Sequence, residues 1–253
     1  LFFVVFERLE SLCPQIYIFF LVLVVLFLTA KNTGVGVGLG LDQFAYPVRA
    51  VEFLQQERIL EKSGGNLYHT YNFGGYLIWA NQPHKVFIDG RVRPYHGEPF
   101  EKYWNNFEGG ETWQDSIHQY NITAALMTHP HTDGKKIYNN SSRMFPQEEW
   151  ALVYYDDVAS IYVRRIEELS NLIETYEYTV LDPQQLDISY LQGRIQSKEG
   201  FLSAEREIQK ALNLNPESYR LHFTAAYLFG LSHSPEQMKQ ELEKTLEINP
   251  HFT

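Results

Sequence analysis

The first sustained pattern in the chain is apolar with no polar face. Residues 16 to 30 read Ile-Tyr-Ile-Phe-Phe-Leu-Val-Leu-Val-Val-Leu-Phe-Leu-Thr-Ala without a single charge. Cys13, Pro14 and Gln15 precede this run, and a Gly-Val-Gly-Val-Gly-Leu-Gly-Leu stretch follows Thr33. Together they reach the roughly 20 residues needed to cross a bilayer. A signal peptide carries a basic first segment and a small-residue cleavage site, and neither is clear here. The pattern therefore predicts a transmembrane helix over about 14–33. Residues 1–6 are also apolar and read as the end of an earlier membrane helix, with Glu7, Arg8, Leu9, Glu10 and Ser11 as the turn. The expectation is a membrane segment over 1–41, in the C-terminal piece of a longer multi-spanning protein. Arg8 and Lys31 lie on opposite sides of the helix, so charge gives no orientation.

From Tyr46 the pattern breaks into short periodic segments. Pro47 opens a predicted helix over 47–62, with Val48, Val51, Phe53, Leu54 and Ile59 on its apolar face, and Ser63-Gly64-Gly65 stops it. A strand is expected over 66–71 and a helix over 74–80. Val86-Phe87-Ile88 reads as a buried strand ending at Asp89-Gly90. Helices are predicted over 99–106 and 111–119, and a strand over 122–127. Residues 150–155 and 159–163 form a hairpin across Asp156-Asp157-Val158. This alternation predicts an α/β sandwich over 42–165, with a mainly parallel mixed sheet and an antiparallel edge.

The tail repeats itself. Lys210-Ala211-Leu212-Asn213-Leu214-Asn215-Pro216 recurs as Lys244-Thr245-Leu246-Glu247-Ile248-Asn249-Pro250, an offset of 34 residues. That is the tetratricopeptide period, and the segment resembles that family. Gly193, Gly200, Ala204 and Ala211 supply small residues for close helix crossings, and Asn-Pro closes each unit. The spacing slips by one residue between Gly200 and Ala204, and Met238 stands where the second unit would carry Ala. Residues 166–253 are thus expected to form helical repeats, one complete and one degenerate. They either pack on the α/β domain or continue past Thr253, and their groove implies a protein partner.

Composition narrows the reading. The chain has 17 Tyr and 17 Phe, and the 16 Tyr and 11 Phe that fall after residue 41 give that segment enough apolar bulk for a real core. Net charge is −10, and from Ile166 onward 14 acidic residues face 7 basic ones. A chain this acidic, with no basic stripe, argues against nucleic acid as a partner. The one cysteine, Cys13, excludes an intrachain disulfide. Gly34, Gly36, Gly38 and Gly40 lack the preceding strand and following helix of a dinucleotide loop, so they read as a flexible exit from the bilayer. The tripeptide Asn121-Ile122-Thr123 and the Asn139, Asn140 pair match glycosylation acceptors by chance alone.

Candidate chemistry concentrates in His69-Thr70-Tyr71-Asn72-Phe73-Gly74-Gly75-Tyr76 and in Phe87-Ile88-Asp89-Gly90-Arg91. Two glycines at a strand-to-helix junction let a ligand or backbone approach closely. In open α/β sheets, ligands gather at the carboxyl ends of the strands. Tyr71, Asn72, Asp89, Arg91 and Tyr95 are expected to converge on one crevice there.

These motifs, with the membrane run and the Tyr-Asp-Asp-Val-Ala hairpin, resemble the extracytoplasmic C-terminal domain of multi-spanning membrane glycosyltransferase-like proteins. The resemblance covers residues 46–165, and a tetratricopeptide tail fits it as an appendage. More distantly, Tyr71-Asn72-Phe73-Gly74 is similar to the Trp-Trp-Asp-Tyr-Gly motif of oligosaccharyltransferase catalytic subunits, with Tyr for Trp and Asn for Asp. It implies that Tyr71, Asn72 and Phe73 face an acceptor, and that metal and catalytic carboxylates lie in loops upstream. No catalytic residue and no cofactor are then expected in this stretch. The implied partners are the lipid bilayer, a lipid-linked sugar and its acceptor. The implied location is an integral membrane protein whose folded part is periplasmic or extracellular. The alternative is a membrane-anchored, non-enzymatic scaffold that binds a partner protein through the repeats.

A separate similarity links Thr128-His129-Pro130-His131-Thr132-Asp133 to the His-X-His-X-Asp-His metal motif of metallo-β-lactamase-type hydrolases. Two imidazoles and a carboxylate suit zinc. Gly134 replaces the last His, and the antiparallel strands of that family are missing upstream. A polar loop is the expectation, with His129, His131 and Asp133 the metal candidates.

Overall fold

A computed structural model of the protein describes residues 16, 18, 19, 21, 22, 25 and 44–252, apart from 82, 92–96, 133–136, 139–141, 185–187 and 251. The chain divides into two compact units, Leu1–Asp42 and Gln43–Thr253. In the first, Ile16, Ile18, Phe19, Leu21, Val22 and Val25 have helical backbone and exposed side chains. The remainder of the helix expected over 14–33, the apolar residues 1–6, the turn at 7–11 and the glycine repeat lie outside the described residues. Among the described residues, no helix is long and apolar enough to cross a membrane.

The second unit begins with helices α1 (Val48–Gln56) and α2 (Ile59–Ser63), then β1 (Asn66–His69). A 3-10 turn at Tyr71–Phe73 leads into α3 (Gly74–Ala80), followed by α4 (Glu98–Asn105), α5 (Gly110–Tyr120) and β2 (Ile122–Thr128). Two short strands, β3 (His131–Thr132) and β4 (Ile137–Tyr138), pair only with each other. The hairpin of β5 (Trp150–Tyr155) and β6 (Ala159–Arg164) comes next. The tail carries α6 (Ser170–Tyr176), α7 (Ile188–Arg194), α8 (Lys198–Leu214), α9 (Tyr219–Leu231) and α10 (Pro235–Ile248).

The α/β class is as expected, and the main sheet has four strands in the order β1-β2-β6-β5. Three local expectations are corrected. The predicted helix over 47–62 is two helices, because Arg58 adopts the left-handed region at φ 51°. That break turns both Ile59 and Leu60 into the core, where an unbroken helix would bury only one face. The strand over 66–71 stops at His69, and Tyr71 already belongs to the 3-10 turn. Val86-Phe87-Ile88 is not a strand. The Phe87 N–H donates to His69 Nε2 at 3.0 Å, so a side chain takes the amide that a ladder would have used. Without that strand the sheet is mixed rather than mainly parallel. Only β1 and β2 pair in parallel, and β6 runs antiparallel to both β2 and β5. β1, β2 and β5 therefore point the same way, and their carboxyl ends share one edge.

Alternation sorts the strand residues onto two faces. Leu67, Ala124, Leu126, Ala151, Val153, Ile161 and Val163 pack under α1, α2, α3 and α6. Tyr68, Ala125, Met127, Trp150, Leu152 and Tyr162 face the layer built by α4, α5, α8 and α9. The second face is dominated by rings: Trp113 stacks on Trp150 at 5.9 Å, and Phe145 on Tyr162 at 4.3 Å. Each such ring removes about 150–250 Å² from water. One irregularity interrupts the alternation. The β5–β6 register shifts between Leu152 and Tyr154, so Val153 and Tyr154 join the same face and Tyr155 moves to the other. That bulge delivers Tyr155 to the side where the tail packs.

Polar bonds brace the tail internally at the segment between α6 and α7 and join it to the sheet layer at two further places. Glu207 accepts the backbone N–H groups of Thr179, Val180 and Leu181. Asn215 accepts from the Tyr154 hydroxyl at 2.9 Å and donates to the Tyr155 carbonyl at 3.2 Å. Asp157, in the hairpin turn, accepts from Ser218 Oγ and from the Tyr219 and Arg220 amides, which satisfies free N–H groups at the start of α9. The repeated motif has the same local form twice. Asn215 and Asn249 follow α8 and α10 with similar backbone angles, and their amides bond to the carbonyls of Ala211 and Thr245. Ala211 and Thr245 are both fully buried.

Candidate functional site

The shared edge at the ends of β1, β2 and β5 gathers the polar side chains of the unit. At the end of β1, His69 is fully buried. Its Nε2 accepts the Phe87 amide, so the proton sits on Nδ1 and is donated to the Thr70 carbonyl at 3.0 Å. Burial lowers its pKa to about 4, which keeps the ring neutral. Thr70 Oγ1 accepts the Thr128 amide at 2.9 Å, and the Tyr103 hydroxyl accepts the Tyr71 amide at 2.7 Å. These bonds fix how the chain leaves both parallel strands.

The sequence-predicted residues are only partly brought together. Asp89 is 1% exposed and is gripped by Arg91 in a fork, Nε to Oδ1 at 2.8 Å and Nη2 to Oδ2 at 2.7 Å. Arg91 itself reaches outward. Gly74 explains the close crossing of this segment. A Cβ there would lie 2.0 Å from the Ile88 carbonyl oxygen and 2.8 Å from Asp89 Cβ. Of the two occupants the glycine pair allows, ligand or backbone, it is backbone that fills the space at Gly74. Asn72 is exposed, Tyr71 is half-buried against Phe100, and Phe73 packs inward under the sheet. Tyr95 lies outside the described residues.

An opening on the same edge lies between the β2 and β5 ends and the tail. It encloses about 220 Å³ and is lined by His129, Tyr155, Asp182, Tyr190, Arg220 and Tyr227, with Val180, Leu181, Pro183, Leu191 and Phe223. This is smaller than the roughly 300–1,000 Å³ of sites for drug-sized ligands. Two of its phenols stand out. The hydroxyls of Tyr155 and Tyr227 are buried with no hydrogen-bond partner among the described residues. Burial raises the Tyr155 pKa well above the ordinary phenol value, so it remains an O–H donor. Asp182 accepts from the Tyr162 hydroxyl at 3.2 Å and from the Gln184 amide at 2.9 Å, which aims a carboxylate into the same region. Arg220, Phe223, Thr224 and Tyr227 fall at i, i+3, i+4 and i+7 along α9, one helix face. Donors, the acids Asp156 and Asp182 and aromatic walls suit a small ligand with several oxygen atoms and an apolar face. Among the described residues that line it, no nucleophile is paired with a base.

His129 sits at the wall of this opening as a structural group. Its Nε2–H donates to the Asp156 carbonyl at 2.6 Å. Burial and the nearby Arg220 charge lower its pKa to about 3. Asp156 is buried beside it and accepts the Val158 and Ala159 amides and the Tyr154 hydroxyl. Burial raises the Asp156 pKa despite those donors. His131 is on β3, and Asp133 lies outside the described residues. Among the described residues, no group of three His, Cys, Asp or Glu side chains is placed to hold a metal ion.

No protein-family model, curated protein or solved structure matches the chain. The cavity phenols were missed by sequence reasoning. Tyr155 depends on a bulge that no glycine marks. Tyr227 and Arg220 did leave a signal: one face of α9 carries Arg, Thr and Tyr where a buried repeat face would be aliphatic.

Proposed function

We propose that this chain is the C-terminal part of an integral membrane protein of the glycosyltransferase-like kind. In this reading residues 14–33 span the bilayer and the following α/β unit lies outside the cytoplasm. That unit binds the acceptor for a sugar carried on a lipid, while the catalytic groups lie upstream. The observation that carries the reading is the 220 Å³ opening at the strand ends, with the unpaired hydroxyls of Tyr155 and Tyr227. A sugar-like group presents oxygen atoms to such donors and apolar ring faces to aromatic walls. The exposed Asn72 and the Asp89–Arg91 fork on the same edge extend the surface for the remainder of an acceptor. The test is transfer from a lipid-linked donor in membranes holding the intact protein. Asn72→Ala and Tyr155→Phe should each reduce transfer at unchanged protein level. Full activity in both refutes the reading.

A second reading rests on the 34-residue recurrence and its matching helix ends. The tail is then a tetratricopeptide-like pair of units, and a groove lined by Tyr176, Arg206, Lys210, Leu214, Phe229 and Gln237 receives a partner protein. Arg206→Glu would abolish capture of that partner while leaving sugar transfer intact.

A further inference from the structure

Aromatic side chains on the folded unit are not scattered; they form a seam that starts where the chain enters it. Tyr46 contacts Tyr76 at 5.7 Å, and Tyr76 contacts Trp79 at 5.9 Å. Two residues before Tyr46, Phe44 contacts Tyr219 at 6.2 Å. Tyr219 meets Phe252 at 5.2 Å, and Phe252 meets Phe223 at 5.0 Å. These seven rings form a band in two groups, Tyr46-Tyr76-Trp79 on the α3 side and Phe44-Tyr219-Phe252-Phe223 on the α9 side, which the backbone between Phe44 and Tyr46 joins at the point of entry. Its outer members face solvent to an unusual degree: Trp79 is 70% exposed, Phe44 57%, and Tyr46 and Phe223 38% each. Single exposed apolar side chains are ordinary, but a connected band of large rings marks a surface that meets something apolar.

We infer that this band seats the folded unit on the headgroup region of the bilayer. Three observations select lipid over other occupants. The apolar run ends at Ala30, so only residues 31–43 separate it from Phe44, and the band begins at that point of entry. Its exposed members include Trp and Tyr, which combine an apolar ring with a polar edge and concentrate at membrane–water interfaces. The chain carries a net charge of −10, so attraction to anionic lipid cannot hold it, whereas ring insertion needs no charge. The inference rests on the reading that residues 14–33 cross the membrane. Seating fixes the height of the strand-end edge above the lipid, and so the distance at which a lipid-borne group meets it.

The test uses the full chain reconstituted into phosphatidylcholine vesicles, with and without bromines on the upper part of the acyl chains. Brominated lipid should quench a fraction of the tryptophan emission in the natural protein. That fraction should vanish in Trp79→Phe, in which the half-exposed Trp104, outside the band, and the buried Trp113 and Trp150 remain as emitters. Retention through an alkaline wash is measured on the same vesicles. Retention without Trp79 quenching overturns the seating and leaves the membrane-spanning reading intact. Quenching in protein that the wash removes supports the seating and overturns the span. Loss of both signals defeats both. A Trp79 shielded from aqueous acrylamide yet unquenched by brominated lipid is covered by protein, another chain segment or a second copy, and this also overturns the inference.

Discussion

Glu207 accepts the Val180 backbone N–H on both of its carboxylate oxygens, at 3.1 and 3.0 Å. The same carboxylate takes the amides of Thr179 and Leu181. One side chain of α8 therefore satisfies three consecutive peptide groups of the segment between α6 and α7. Glu207→Ala strands these donors, at about 1–3 kcal/mol for each that water cannot reach. Denaturant unfolding should show a loss of about 3 kcal/mol or more, and limited proteolysis should cut first between α6 and α8. Glu207→Gln, which keeps one acceptor oxygen, should lose less.

Gly74→Ala places a methyl group against the Ile88 carbonyl and Asp89, both of which are backbone-fixed. The expected cost is about 1–3 kcal/mol, read as a lower denaturation midpoint. Gly75→Ala, with nothing within 4 Å of the new carbon, should be neutral or slightly stabilising. Equal effects at the two positions would contradict the close crossing.

Acid should unfold the unit through its buried histidines. His69 and His129 have pKa values lowered from 6.5 to about 4 and about 3. A lowered value means that the unfolded chain binds the proton first, so stability is complete above pH 6.5 and declines as pH falls toward 4 and 3. Each histidine steepens that decline by up to about 1.4 kcal/mol per pH unit. His69→Gln should flatten the stability–pH curve between pH 6.5 and 4, and an unchanged slope would refute the assignment.

Asp156 works in the opposite direction. Burial raises its pKa above 3.8, so the folded state holds the proton more tightly. Its contribution is complete below pH 3.8 and is lost as pH rises through the raised value. Asp156→Asn keeps the shape and removes that loss. The variant should gain stability over the natural protein as pH climbs from acid toward neutral, measured by thermal melts across that range.

Tyr155→Phe separates binding from stability. The hydroxyl has no hydrogen-bond partner among the described residues, so removing it relieves an unsatisfied buried group and should hold or raise the melting temperature. A sugar-type acceptor should nevertheless bind less well. A Tyr155→Phe protein that melts several degrees lower would show the hydroxyl to be a structural bond instead.

Much of the α/β unit was legible from periodicity. The helix over 74–80, the strand over 122–127 and the hairpin across Asp156 appear within a residue or two of their predicted ends. Local pattern sees apolar spacing, and these elements bury what their spacing implies. Val86-Phe87-Ile88 defeated it, because a three-residue apolar run fits a strand or a pinned loop equally. The choice was made by His69, distant in sequence by 18 residues. Arg58 also carries no mark of a helix break, since arginine seldom takes the left-handed region. At the site, the expected convergence leaned partly on Val86-Phe87-Ile88, which is not a strand. The opening itself was hidden, because it needs the β5 bulge and a face of α9 to meet across more than 60 residues.

The 220 Å³ opening has one wall on the sheet layer, at His129 and Tyr155, and another on α9, at Arg220, Phe223 and Tyr227. Occupancy and tail docking are consequently one equilibrium viewed from two ends. Any ligand that bridges both walls lengthens the time α9 stays down, and any loosening of α9 weakens the ligand by the same free energy. A partner that grips the tail from outside would thereby set how tightly the strand-end opening holds its guest.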